Sequence, residues 1–549
     1  MTRRITGLLC ALGAIAVAGC GGGSGATDPT RVPAPTKFGI SPMLGRGSPF
    51  HGVHGLRFDN EGRLTATSVI GQSIFRVNTA TGATERVVGP REGMGDDLAF
   101  AADGTMYWTA IEDGILYAKA PDGPVRKIVE NMKGVNAISF NRERTRLFFS
   151  LVFYGDALYE LDLSGAKSPR LVVENVGGLN AFQVGDDGMV YGPLMFKGQI
   201  AKIDPDTGAV TTVASDMTSP GALKLDGKGN AYVLDDQKLK RLDLASGAVT
   251  ASAMLPYDPD NLAIDKDGRV FVSMAAPNAI AEVDVDTGAV RYVTGPSQLN
   301  SPTGVAVGNV GGRDALYVGD LFGGVRQLDG ASGLLRVMPP VELFQPAHVF
   351  ATEEHLLVAS QVSGTVQQLD RESLEVLASW DGFMSLGDAA ENLDGDIIVA
   401  ETGTGRVLRV TGPNADDREV LADGLERPTG LAIGQDGAVF VAETGGGRVL
   451  KLGPGDAPMT TLADGLDRPE GIALEQGGDN VIVIEVGARR ITRIEPSGAK
   501  VVLAQDLPVG LSDGPSLFRG LAVGTTATTI YFSSDVDNTI YRLTPKQRN

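Results

Sequence analysis

From about residue 50 onward the chain alternates apolar and polar positions in short runs. IFRV (74–77), IIVAE (397–401), VLRV (407–410) and VFVAE (439–443) are examples. A period of two over four to six residues predicts β-strands that bury one face, and it excludes a helical repeat. Between the runs stand turn sequences of one kind: TATGA (79–83), PDTGA (205–209), LASGA (244–248) and VDTGA (285–289). Their glycine supplies the positive φ that a tight strand-to-strand turn needs.

The strands recur in register. An opening pattern such as G-L-A-I-D, an Asp-Gly turn, an apolar strand, a third strand, a Thr-Gly or Ser-Gly turn and a final alternating strand make one unit. The openings fall at His54, Asp96, Asn136, Asn180, Gly221, Asp260, Thr303, Ala347, Asp388, Thr429, Glu470 and Arg519, on average about 42 residues apart. Four short strands every ~42 residues are one blade of a β-propeller. The predicted class is therefore all-β. Twelve units exceed the ~4 to 8 blades in which propellers usually close, so two tandem propellers are expected. Six plus six is the division taken, with seven plus five as the competitor.

The predicted domains are a first propeller over 38–295 and a second over 296–549, the junction lying in YVTGPSQLNSP between Asp286 and Asn300. The last unit ends at IYRLTPKQRN, one strand short, so another segment must cover its outer edge. The expected cover is the strand at Val290–Thr294, with KFGISPM (37–43) covering the sixth blade.

The first twenty residues differ from the rest. Arg3 and Arg4, an apolar run from Leu8 to Val17 and Val17-Ala18-Gly19-Cys20 form a secretory signal layout. Small residues directly before a cysteine resemble the lipobox of bacterial lipoproteins. That resemblance implies a signal peptide over 1–19 and acylation of Cys20, and an ordinary secretory signal is the alternative. Cys10, the other of the two cysteines, would leave with the signal, so no disulfide is expected. Residues 20–37 are rich in Gly, Ser, Pro and Thr and read as a tether. The expected location is the bacterial cell envelope, with the membrane as a partner through the lipid on Cys20. Gly21 lacks the Asp that resembles an inner-membrane retention signal, which favours the outer membrane in a host with two.

Charge narrows the partners. Lys plus Arg number 48 against 67 Asp plus Glu, a net charge of −19, which argues against nucleic acid. Glycine, at 73 residues, matches the density of turns.

RPTGLAI and VFVAETGGGRVLKL, between Arg427 and Leu452, resemble NHL repeats. PDNLAIDKDGRVFVSM (259–274) and VNAISF (135–140) are similar to blades of the SMP-30/gluconolactonase-like propellers. The resemblance covers nearly all of residues 50–549 and implies the fold more strongly than any activity.

The opening residue of each blade lies where the innermost strand begins, so one ring per propeller lines the channel mouth. In the first propeller closure makes Asp260 a neighbour of His54, and Asp96, Asn136, Asn180 and Asp260 become candidate ligands of one divalent cation. Converging oxygens of this kind favour calcium. The resemblance to SMP-30-like lactonases implies a Glu, two Asn and an Asp around a metal. Asn136 and Asn180 match the two Asn, whereas His54 replaces the Glu, Gly221 replaces the Asp, and Asp260 comes one blade late. A cation there would polarise a lactone or ester carbonyl while His54 or Asp260 draws a proton from water. The alternative is that the polar ring only hydrates the channel mouth or ties strand ends together.

No metal is expected in the second ring, where Arg519 beside Glu470 favours an ion pair. His51, His348 and His355 read as structural or exposed. Glu401 with Arg406, Glu443 with Arg448 and Glu485 with Arg490 read as an inter-strand ion-pair ladder. No Gly-x-Ser-x-Gly elbow, His-Glu-x-x-His pair or Walker loop occurs.

Two functions follow. The first is a membrane-anchored binding module for a small molecule, glycan or protein at a propeller face. The alternative is a metal-dependent lactonase or esterase with its site in the first propeller.

Overall fold

In the computed structural model the described residues are 38–546, apart from 91, 337, 339–342, 344, 413–416, 456, 476–478, 511–520 and 524–528. The signal segment, Cys20, the tether and Arg519 lie outside them. No helix among the described residues is long and apolar enough to cross a membrane.

Among the described residues the strands form twelve four-stranded antiparallel sheets. The fold is all-β, as the period of two predicts, and the sheets are the blades of tandem propellers. In eleven sheets the strands follow chain order from the innermost outward. Blade one is Val53–Phe58, Leu64–Ser68, Ser73–Val77 and Thr84–Val88. Burial falls outward across it: the second strand is buried throughout, and the fourth is partly exposed. The packing between blades is apolar. Trp108, Met94 and Val69 interlock between the first two blades, and Leu234, Val272 and Met274 between the fifth and sixth. Each such side chain contributes about 1.5–3 kcal/mol on burial.

The twelfth sheet corrects two expectations. Its outer strand is Phe38–Pro42, which pairs with Thr539–Pro545 so that Phe38 faces Pro545 and Pro42 faces Tyr541. Val290–Thr294 instead pairs with Ala279–Val283 as the fourth strand of its own sixth blade. The sixth repeat has all four strands in sequence and needs no cover, while the twelfth has three and an open edge. The units accordingly divide as Gly47–Ser297 and as residues up to Arg46 with Gln298–Asn549. This replaces the expected bounds of 38–295 and 296–549. Each unit holds six of the twelve sheets.

One device recurs at the inner strands. The register of the first strand on the second slips at its opening, as between Val53 and Leu56 and between Val135 and Ile138. Such a bulge frees a backbone N–H and re-aims the opening side chain. A hydroxyl at the fourth position of the second strand takes up the N–H. Gly55 donates to Thr67 Oγ1 (2.8 Å), Asp97 to Thr109 Oγ1 (3.1 Å) and Asn261 to Ser273 Oγ (3.0 Å). The same hydroxyl then donates to the opening residue of the next blade: Thr67 to Asp96 O at 3.4 Å, and Thr109 to Asn136 O. Ser273 donates to His54 O at 2.6 Å and Ser533 to Thr303 O at 2.7 Å, which joins last blade to first in each propeller.

Candidate functional site

The bulges bring His54, Asp96 and Asp260 together at the mouth of the first propeller. Nδ1 of His54 lies 3.3 Å from Asp260 Oδ1 and 3.5 Å from Asp96 Oδ1. Burial alone would lower the pKa of His54, but the Asp260 charge and the contact with Asp96 outweigh it and hold it up to about 9. Burial pushes Asp260 up to about 6; His54 opposes this, and Asp96 and Asp97 add to it. At neutral pH an imidazolium therefore sits between two carboxylates.

The other ring members are placed differently. Asn136 is buried, with its carbonyl taken by Thr109. Asn180 turns its Oδ1 back onto the N–H of Ala181 (3.0 Å). At Gly221 an added Cβ would meet nothing within 4 Å, so blade five leaves a gap. These residues fit a divalent cation poorly: the histidine occupies the two carboxylates, one amide oxygen is engaged, and blade five offers no donor. Among the described residues no group of three or more His, Cys, Asp or Glu is arranged to hold a metal ion.

Below the ring lies a layer that sequence reasoning missed. Three residues beyond the openings, blades one and five carry Arg57 and Lys224, where blades two and six carry Ala99 and Ala263. Arg57 donates to Leu98 O and Ile138 O, both at 3.1 Å, and so ties together the first three inner strands. Lys224 Nζ is buried 4.0 Å from Asp97 Oδ2, with no hydrogen-bond partner among the described residues. Burial lowers its pKa to about 8, against the pull of Asp97 and with the push of Arg57. Asp97 itself caps the Leu98 N–H (2.9 Å). Three acids and three bases thus answer one another along the channel. The signal was present as LRF and LKL in inner strands, where a charge has no solvent to face.

Beside this mouth the turns joining second to third strands carry exposed aromatic residues. Phe153 and Phe196 meet edge to face at 6.1 Å, and the Lys133 ammonium stands 4.4 Å from the Tyr154 ring centre. Tyr154 donates to Glu112 at 3.2 Å, and Phe196 is 58% exposed. Blades one and nine have Ile-Gly and Thr-Gly at the matching turns, so the patch belongs to blades two to four.

In the second propeller Thr303, Ala347, Asp388, Thr429 and Glu470 open their blades; Arg519, their sixth, is outside the described residues. His348 is buried, with Nδ1 3.8 Å from Asp388 Oδ1, so it faces the channel beside a ring carboxylate. Asp388 also accepts the N–H groups of Ala389 and Leu431, both at 2.9 Å. A cavity of about 220 Å³ lies along these inner strands, lined by His348, Asp388 and apolar residues such as Val305, Phe350 and Leu431.

The acid and arginine pairs are cross-strand partners in register. Arg490 grips Glu485 at 2.6 and 2.7 Å, and Arg448 grips Glu443. Glu401 instead accepts the Met384 N–H (2.8 Å) and the Thr404 hydroxyl (2.7 Å), and Arg406 faces Asp423. All three glutamates accept a backbone N–H from the loop before their blade, which is a structural task.

No family model matches the chain, and no curated protein matches it. Among solved structures it is similar to the extracellular domain of a proposed hybrid two-component system from B. thetaiotaomicron. The identity is 11% and the TM-score 0.32, covering 94% of this chain and 84% of that one.

Proposed function

We propose that this chain is an extracytoplasmic binding protein, held to a membrane by lipid on Cys20, whose first propeller recognises its ligand at the channel-mouth face. The carrying observation is the exposed patch of Phe153, Tyr154 and Phe196 beside Lys133 and Glu112, next to a channel whose charges neutralise one another. Rigid aromatic area flanked by hydrogen-bonding groups suits a glycan or a peptide. The resemblance to SMP-30-like and NHL propellers is consistent with this reading, since that architecture hosts binding proteins and enzymes alike. Lipid attachment rests on the Val17-Ala18-Gly19-Cys20 motif, and Gly21 favours an outer membrane.

The test is a glycan and peptide array probed with protein starting at residue 38. Tyr154→Ala with Phe196→Ala should abolish the hits without changing the melting temperature, and retention of the hits would move the site elsewhere. Labelling with a radioactive fatty acid, present in the native chain and absent in Cys20→Ala, tests the anchor.

A second reading, a lactone or ester hydrolase in the same channel, keeps one observation in its favour: Asp260 and His54 stand side by side as a carboxylate that can take a proton and an imidazolium that can give one. Its metal-dependent form requires a cation where the imidazolium sits. Elemental analysis after calcium or zinc addition distinguishes them. About one tightly held ion per chain, lost in Asp260→Ala and Asn180→Ala, would favour the hydrolase.

A further inference from the structure

A cavity of about 490 Å³ opens in the second propeller between blades ten and eleven, at the end of their inner strands away from the ring residues. That volume is within the ~300–1,000 Å³ of small-molecule sites. Its apolar wall comes from Ile433, Phe440 and Leu474, and its rim from Asp436, Glu475, Asp479 and Lys451. Three carboxylates therefore face one ammonium. Asp436 is already answered, accepting the Ala438 N–H (3.1 Å) and Lys451 Nζ (3.3 Å). Glu475 accepts a neutral amide N–H from Asn480 at 2.6 Å, with no cationic partner among the described residues, and Asp479 lines the same cavity. The cavity also displays on its own wall the contact it favours: the Lys451 ammonium lies 5.3 Å from the Phe440 ring centre while it bonds Asp436. Cations over an aromatic face and beside a carboxylate are held by both.

We propose that this cavity is a binding site for an organic cation, an amine with an apolar body, whose body lies on Ile433, Phe440 and Leu474 and whose ammonium faces Glu475 and Asp479. An anion is disfavoured by the rim, and a purely apolar ligand would leave the two carboxylates unanswered.

The test is calorimetric titration of the full chain with 2-phenylethylamine, 2-phenylethanol and phenylacetate at pH 7. The amine should bind about tenfold or more tighter than the alcohol, with no measurable binding of the carboxylate. Glu475→Gln with Asp479→Asn should bring the amine down to the level of the alcohol and leave the alcohol unchanged. Leu462→Arg, which carries a cation into the cavity from its edge, should abolish both. Equal affinity for amine and alcohol, no binding of the amine at millimolar concentration, or indifference to the double substitution in a chain of unchanged circular dichroism would each overturn the proposal.

Discussion

His54 keeps its proton well above the usual histidine range because two carboxylates on neighbouring blades share it, and this gives the molecule a pH signature. Its folded pKa of about 9 exceeds the ordinary 6.5, so its stabilisation is complete below about pH 6.5 and is lost as pH rises through 9. Asp260 holds its proton up to about pH 6, so the pair is fully ionic between about 6 and 9. The difference is worth on the order of 3 kcal/mol. Urea unfolding of the native chain should weaken steadily from pH 7 to pH 9.5, and His54→Gln should flatten that slope; parallel slopes would remove the histidine from the account. Lys224 has the opposite sign. Its folded pKa, near 8, is below the free value, so its charge opposes folding at pH 7. Stability should therefore rise with pH between about 8 and the free lysine value, and Lys224→Met should flatten that rise, read as the pH dependence of the denaturation midpoint. The approach of His54 to Asp96 and Asp260 followed from counting blades and closing the ring. The fate of the Asn180 amide did not, because capping its own neighbour depends on a bulge that leaves no mark in composition. Arg57 and Lys224 were visible as charges in buried strands and went unread.

At the scale of the blade, the bulge and its hydroxyl are one unit. Removing the hydroxyl leaves an N–H and a carbonyl of two blades without their partner, at about 1–3 kcal/mol. Ser273→Ala should therefore lower the unfolding transition of the first propeller and Ser533→Ala that of the second. Scanning calorimetry that resolves two transitions would show each substitution moving only its own. The repeats themselves were legible because alternation and Asp-Gly or Thr-Gly turns are local properties. Which strand covers which edge was not, since pairing between Phe38–Pro42 and Thr539–Pro545 spans the whole chain and both candidate strands alternate equally well. Counting strands per repeat would have separated them: the sixth repeat has four and the last has three.

For the whole molecule, the pairing of the earliest described strand with the latest makes the first propeller an insertion in the second. Gly47–Ser297 is a self-contained unit between Arg46 and Gln298, and the Gly45 N–H reaches the Gln298 side chain at 3.1 Å. Replacing residues 47–297 by a few glycines should leave a folded second propeller, and residues 47–297 alone should fold as the first. Proteolysis-resistant cores of the two sizes would bear this out, and an aggregating deletion would refute it.

The strand Phe38–Pro42 has a further consequence in time rather than in space. A ribosome makes it before either propeller and makes its partner last, so about five hundred residues of synthesis separate the two halves of one sheet. Throughout that interval the strand lacks its partner, and the nascent second propeller stays open.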